Sequence, residues 1–385
     1  GGVCRGRLIF TPNTKIMSFK RKTGLSLAAL ALSLLTFFLV GELLVRLTDP
    51  LGVVSRMKAQ AEIISQKKPP YNTAEKDPEL GWKCKSDYTW QGTLEDAGGA
   101  SYPVHISFGR AGFRKWGDGT SGKTRFLLIG DSYTQSVEVS DGKTFYDLWA
   151  DSLDLDLWVY GMAGYGTLQE FMILEKYLDE INPDVIMLQF CANDFIDNFW
   201  ELEARSEYKV GLRRPYLKDT TGFERIYVNP VPSAKRWLGW SAFYQLLDYT
   251  IGARLRQRAG TTEYLIGSRG QAYPPYRASI ARTRLILSKM KALAGPDRPF
   301  YVLAADGFYP QLEDLRAICK SLDIWLMESG VHRMNEARDS GRVFHSSDGY
   351  HWNEYGHELM GRAVLNDLRL AGLKPQKAQV AGSEK

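Results

Sequence analysis

The chain has 385 residues, enough for a membrane segment plus one large domain or two small ones. It is 44% hydrophobic and 12% aromatic, the composition of a folded protein. The formal net charge is only +5, and no Lys/Arg run interrupts the body of the chain, so nucleic acid is not expected as a partner.

In chain order, "GGVCRGRLIFTPNTKI" has no period. Met17 is read as the start, with residues 1–16 as upstream sequence. Lys20, Arg21 and Lys22 precede an uncharged run from Thr23 to Gly41, long enough with the turns after it to cross an apolar core of about 30 Å. No small-x-small site follows the run, so an uncleaved single-pass anchor in the cytoplasmic membrane is expected rather than a removed signal peptide. The preceding cations put the N-terminus in the cytoplasm and the remainder in the periplasm or outside the cell. Residues 1–22 are thus a leader, 23–47 the anchor and 48–121 an extension rich in Gly, Pro and charge.

From Thr124 the pattern changes. "RFLLIG", "LDLWVYG" and "NPDVIMLQF" are short apolar runs bounded by turn residues, and read as buried strands. "TFYDLWADSL" and "TLQEFMILEKYLDEI", between them, have apolar residues at helical spacing. The alternation predicts an α/β domain: a parallel sheet with helices on both faces. It stops over about 196–276, an irregular, aromatic and basic stretch read as an insertion. It resumes with helix "SIARTRLILSKMKAL", strand "PFYVLAA", helix "QLEDLRAICKSL", strand "DIWLME" and closing helix "NEYGHELMGRAVLNDLRLAG". The domain is placed at 122–372, with a flexible tail at 373–385.

In "FLLIGDSYTQSVEV", Phe126 to Val139, a buried strand breaks at Gly130, Asp131 and Ser132. In such sheets ligands bind at the carboxyl ends of the strands, where Ser132 falls, near a helix start whose N–H groups favour developing negative charge. Alone, such a serine needs no role beyond a turn. Three further loops change this. "GMAGYGTLQE" brings Gly161, Gly164 and Gly166 to the same edge, "CANDFIDN" brings Asn193 and Asp194, and "HSSDGYHWNEYGHELMG" puts Asp348 and His351 before the last helix. A nucleophile, a base, an orienting carboxylate and oxyanion donors are each represented.

These four blocks, "GDSY", "GMAGYGT", "AND" and "DGYH", resemble those of the SGNH, or GDSL-type, hydrolases. The resemblance runs in outline from Thr124 to Leu370. It implies a flavodoxin-like three-layer sandwich with about five parallel strands, no cofactor and no metal site. It carries the nucleophile to Ser132, the base to His351 and its carboxylate to Asp348. The oxyanion donors become the N–H groups of Ser132 and Gly164 and the side-chain amide of Asn193. Two positions depart from the family pattern: Cys191 stands for the usual glycine before "AND", and Val159 for an asparagine before "GMAG".

Other readings stand beside these. Gly164 also suits a plain φ > 0 turn, Asn193 a helix cap, and Asp131 a structural role. His345, Asp348 and His351 have the chemistry of a metal cluster. His357 reads as packed or at the surface, and Trp237, Trp240, Phe243 and Tyr244 as core or as a sugar- or lipid-contacting platform. Cys84, Cys191 and Cys319 form either a disulfide pair or buried thiols.

The expected activity is cleavage or transfer of an ester acyl group, with an acylated carbohydrate of the envelope or another ester as substrate and the membrane as a partner through the N-terminal helix. O-acetyl groups on a polysaccharide are favoured by resemblance to anchored relatives. A lipid or thioester hydrolase, or a non-catalytic polysaccharide-binding subunit, is the alternative. Oligomeric state is left open.

Overall fold

The computed structural model describes residues 14–65, 72–207, 210–229 and 237–374. The leader before residue 14 and nearly all of the tail lie outside these. The chain divides into two compact units: 1–63 with 233–255, and 64–232 with 256–385. Residues 196–276, expected as one insertion, contribute to both.

Among the described residues, the larger unit holds eleven strands. Two hairpins come first, β1 (Ala74–Asp77) with β2 (Gly81–Cys84) and β3 (Tyr88–Glu95) with β4 (Ser101–Phe108). The main sheet uses β5 (Thr124–Gly130), β6 (Leu155–Gly161) and β7 (Val185–Phe190). A third hairpin, β8 (Arg214–Leu217) with β9 (Arg225–Val228), precedes β10 (Phe300–Ala304) and β11 (Trp325–Met327). The main sheet is all parallel, in the order β11-β10-β7-β5-β6. That is the flavodoxin-like order, with β5 and β7 flanking the point where the strand sequence reverses. Strands β6 and β7 are buried along their whole length, which is why they read as mainly apolar runs rather than alternating ones.

Helices cover both faces and divide the apolar side chains into two layers. Leu127, Ile129, Ile186 and Leu188 pack on one side with helices Thr167–Ile181 and Pro274–Ala294. Phe126, Leu128 and Met187 pack on the other with helices Phe145–Leu153 and Glu354–Leu370. Helix Ser329–Asp339 had no counterpart in the sequence reading: it is polar and buries only Gly330, Val331, Met334 and Ala337. The stretch read as irregular contains the β8–β9 hairpin and helices Ala242–Leu247 and Thr262–Arg269. Cys84, Cys191 and Cys319 are buried free thiols.

The smaller unit contains helix Thr14–Thr48, whose stretch Ser26–Thr48 is long and apolar enough to cross a membrane. Such a helix fits either an anchor or a signal sequence.

Candidate active site

Strand β5 ends at Gly130, and the chain turns at once into the short helix Ser132–Gln135. Three contacts fix this turn. The Asp131 carboxylate accepts from the Tyr133 N–H at 3.0 Å, so Asp131 is a helix cap. Gln189 Oε1, from β7, accepts from the Asp131 N–H at 3.2 Å and the Thr134 hydroxyl at 2.8 Å. Any Cβ at Gly130 would lie 2.4 Å from Gln189 Oε1 and from Thr134 Oγ1, so only glycine lets the strand run this close to its brace. The extension adds a further support: buried Arg114 donates to the carbonyls of Gln135 and Val139 and pairs with Asp141 at 2.9 Å.

His351 Nε2 lies 2.8 Å from Ser132 Oγ. Its other ring nitrogen, Nδ1, meets Asp348 Oδ2 in a short contact. The second oxygen of Asp348 accepts from Ser346 Oγ at 2.9 Å and from the N–H groups of Tyr350 and His351 at 2.8 and 3.0 Å. Partial burial of Asp348 works against its charge, but the His351 bond and these donors hold its carboxyl well below the usual range.

Glu138, absent from the sequence-based site, is the main addition. Its carboxylate is buried and lies 3.4 Å from His351 Nδ1. Burial draws His351 down, but the Glu138 charge, followed by the Asp348 bond and charge, outweighs it and pushes the imidazole up to about 9. One signal for Glu138 was present: an acid flanked by Val137 and Val139 a few residues after Ser132.

Gly164 lies in the loop after β6 at φ +75°, where a Cβ would meet Val210 at 2.4 Å, so the turn requires glycine. Asn193 follows β7. It precedes helix Asp194–Asp197 but does not cap it with its side chain. Instead its amide donates to Asp197 Oδ2 at 2.8 Å. Asp197 is pushed up to about 7, chiefly by burial, with Arg214 opposing. Arg214, on β8 and fully buried, pairs with Asp197 at 2.8 Å and with buried Glu203 at 2.9 Å. Cys191 turns its thiol to Asp306 at 2.8 Å, and Val159 is buried in the sheet core.

Among the described residues, the group close enough to share a metal is Glu138, Asp348 and His351; His345 is not part of it. His345 packs on Phe344, with ring centres 4.0 Å apart. His357 is buried against Phe145, and burial lowers it to about 3. Trp237 and Trp240 are exposed, whereas Phe243 packs in the smaller unit. Tyr133 meets the rings of His351 and Trp352 at tilted angles and borders a cleft with Asp306, Phe308, Arg338 and Tyr350 in its wall.

Residues 126–220 match the family model described as GDSL-like Lipase/Acylhydrolase, a stretch that contains Ser132, Gly164 and Asn193. No curated protein is matched by the sequence. Among solved structures the chain is similar to a lipase/acylhydrolase from Enterococcus faecalis, at 15% identity over 66% of this chain and 100% of that one, TM-score 0.38. It is also similar to a lipolytic G-D-S-L family member from Veillonella parvula, at 14% identity over 63% and 97%, TM-score 0.37. A third is the acetylxylan esterase Axe2 from Geobacillus stearothermophilus, at 11% identity over 64% and 94%, TM-score 0.34. The matched stretch is similar to GDSL-like lipases and acylhydrolases across the serine turn and the next two loops of the five-stranded parallel sheet.

Proposed function

We propose that the protein is a serine-dependent esterase or O-acyltransferase acting outside the cytoplasmic membrane on acyl groups, acetyl above all, of an envelope or secreted polysaccharide. The observation that carries the chemistry is His351 Nε2 at 2.8 Å from Ser132 Oγ, with Nδ1 turned to a carboxylate. Ser132 attacks the ester carbonyl and His351 takes its proton. The tetrahedral oxyanion rests on the N–H groups of Ser132 and Gly164 and on the Asn193 amide. His351 then protonates the leaving alcohol, and the acyl group passes from Ser132 to water or to a second hydroxyl.

Asp348 orients the imidazole and stabilises the imidazolium. Glu138 supplies a second negative charge on the same ring nitrogen, so His351 is a stronger base than Asp348 alone would make it. Asp197, held by Arg214, takes one N–H of the Asn193 amide and leaves the other for the oxyanion. The location reading rests on the apolar helix Ser26–Thr48 with Lys20, Arg21 and Lys22 ahead of it. A carbohydrate fits the cleft beside Tyr133, whose wall mixes aromatic rings with Asp306 and Arg338.

Hydrolysis of p-nitrophenyl acetate by the full chain and by Ser132→Ala tests the chemistry: turnover should require Ser132. Acyl release from acetylated polysaccharide, but not from phospholipid or acyl thioester, would set the substrate class. Binding of polysaccharide without any turnover would favour a non-catalytic subunit. Alkaline phosphatase fused after about residue 60 should be exported and active; an inactive fusion would overturn the location.

A further inference from the structure

Within the smaller unit, the apolar helix does not stand alone. Helix Ala242–Leu247, continued by a wider turn at Asp248–Gly252, packs against its second half. Phe243 meets Phe37 and Phe38 edge-on, with ring centres 5.6 and 6.0 Å apart. Gly41 makes room for it: a Cβ there would lie 2.9 Å from the Phe243 ring. Val45, Val54 and Ala242 close the contact.

The polar side of the same contact is fully matched. Glu42 sits inside the apolar stretch, where an acid is costly without partners. Its carboxylate accepts from Ser241 Oγ at 2.6 Å, Ala242 N–H at 3.1 Å and Phe243 N–H at 2.9 Å. Arg46 donates to Glu42 at 2.7 Å and to the Trp240 carbonyl at 3.2 Å. A helix start placed in lipid must have its N–H groups satisfied internally, and Glu42 does this for two of them.

The depth follows from helix geometry. Glu42 lies six residues before Thr48, the outer end of the apolar stretch, hence about 9 Å along the axis at about 1.5 Å per residue. That is the depth at which interfacial helices and aromatic belts sit. The segment carries the matching side chains on its open surface: Trp237 and Trp240 are 77% and 61% exposed, with Ile251 and Leu255 exposed beyond them.

We propose that Trp237–Leu255 is a second membrane-inserting element, docked on the anchor and seated in the outer leaflet of the bilayer. The inference rests on the reading of Ser26–Thr48 as a membrane span. It also gives that helix a function after export, as a docking partner that cleavage would remove.

The test uses the full chain in phosphatidylcholine vesicles whose acyl chains carry bromine either near the headgroup or near the tail end. Bromine quenches tryptophan emission on contact. Wild-type emission should be quenched, more by the shallow label, and W237F/W240F should lose most of the quenched component. The double variant should keep its rate on p-nitrophenyl acetate, which reports an intact larger unit whether or not the natural substrate is a polysaccharide. Glu42→Ala should reduce quenching while the chain stays in the vesicles after a carbonate wash. Equal quenching of wild type and W237F/W240F would overturn the insertion, as would pairing of two chains through these tryptophans without quenching. A chain that washes off the vesicles would overturn the anchor and the insertion together.

Discussion

The two halves of the candidate triad are held in different ways. Ser132 sits at the end of a buried strand, in a turn pinned by Gln189 and Arg114, both themselves buried. Asp348 and His351 sit on an open loop, where Asp348, Gly349 and Tyr350 are exposed. That loop is tied by a few backbone bonds: Ser346 N–H to the His351 carbonyl at 2.7 Å, Ser347 N–H to Glu95 at 2.9 Å, and Ala97 N–H to His345 at 3.0 Å. Ser132 and the Asn193 amide therefore inherit their positions from the sheet and its buried charges, while His351 depends on local bonds. Substitutions in the buried groups that support the first half should cost stability as well as rate, and those in the second half mainly rate.

The largest effect is expected at the reacting atoms. Ser132→Ala and His351→Ala should each reduce turnover of p-nitrophenyl acetate far more than a hundredfold, because triad members act as a unit, with the melting temperature nearly unchanged. Residual activity above about one part in a hundred in Ser132→Ala would break the assignment.

Arg214→Leu comes next and acts through the fold. It leaves the buried carboxyls of Asp197 and Glu203 without their cation, which should cost about 3–5 kcal/mol in urea unfolding. A loss below about 1 kcal/mol, the scale of an exposed pair, would place this network outside the buried support.

Asn193→Ala removes one of the three proposed oxyanion donors and should lower kcat by two to three decades, about 3 kcal/mol, with KM little changed. Asn193→Asp should be worse, because a carboxylate repels the oxyanion. A raised KM with kcat spared would instead make Asn193 a ground-state binder, turned aside by the bulk of Cys191.

Glu138→Gln sharpens the other half. His351 must be neutral to accept the serine proton, so with its imidazole near 9 the lower limb of kcat/KM should rise only as pH approaches that value. Removing the Glu138 charge makes imidazolium less favourable, which lowers the pKa and moves the limb to lower pH. A limb that stays in place would show that Asp348 alone sets the base. The smallest expected effect is that of EDTA, which should leave the rate unchanged; loss restored by Zn²⁺ would assign Glu138, Asp348 and His351 to a metal.

The same contrast decides what the sequence revealed. Strands β5, β6 and β7 were legible because parallel strands buried on both faces are mainly apolar runs without alternation. Ser132, Gly164 and Asn193 were legible because each directly follows such a run. Asp348 and His351 were legible as residues, but their approach to Ser132 crosses more than two hundred positions and depends on the closing helix packing back on the sheet. Helix Ser329–Asp339 was missed because four buried residues give too weak a periodic signal. Arg214 and Glu138 were missed because their partners are distant in sequence, and a lone charge reads as surface until its neighbours are known. Trp237 and Trp240 were open to a place in the core or on a sugar- or lipid-contacting platform, and the packing leaves both exposed.

The central claim is that one serine, made nucleophilic by His351, carries the acyl group. Labelling the full chain with a fluorophosphonate probe and locating the adduct by mass spectrometry tests it most directly. A single adduct on Ser132, absent in Ser132→Ala and strongly slowed in His351→Ala, is the predicted result. An unlabelled chain that still hydrolyses p-nitrophenyl acetate, or an adduct on another residue that persists in Ser132→Ala, would contradict it.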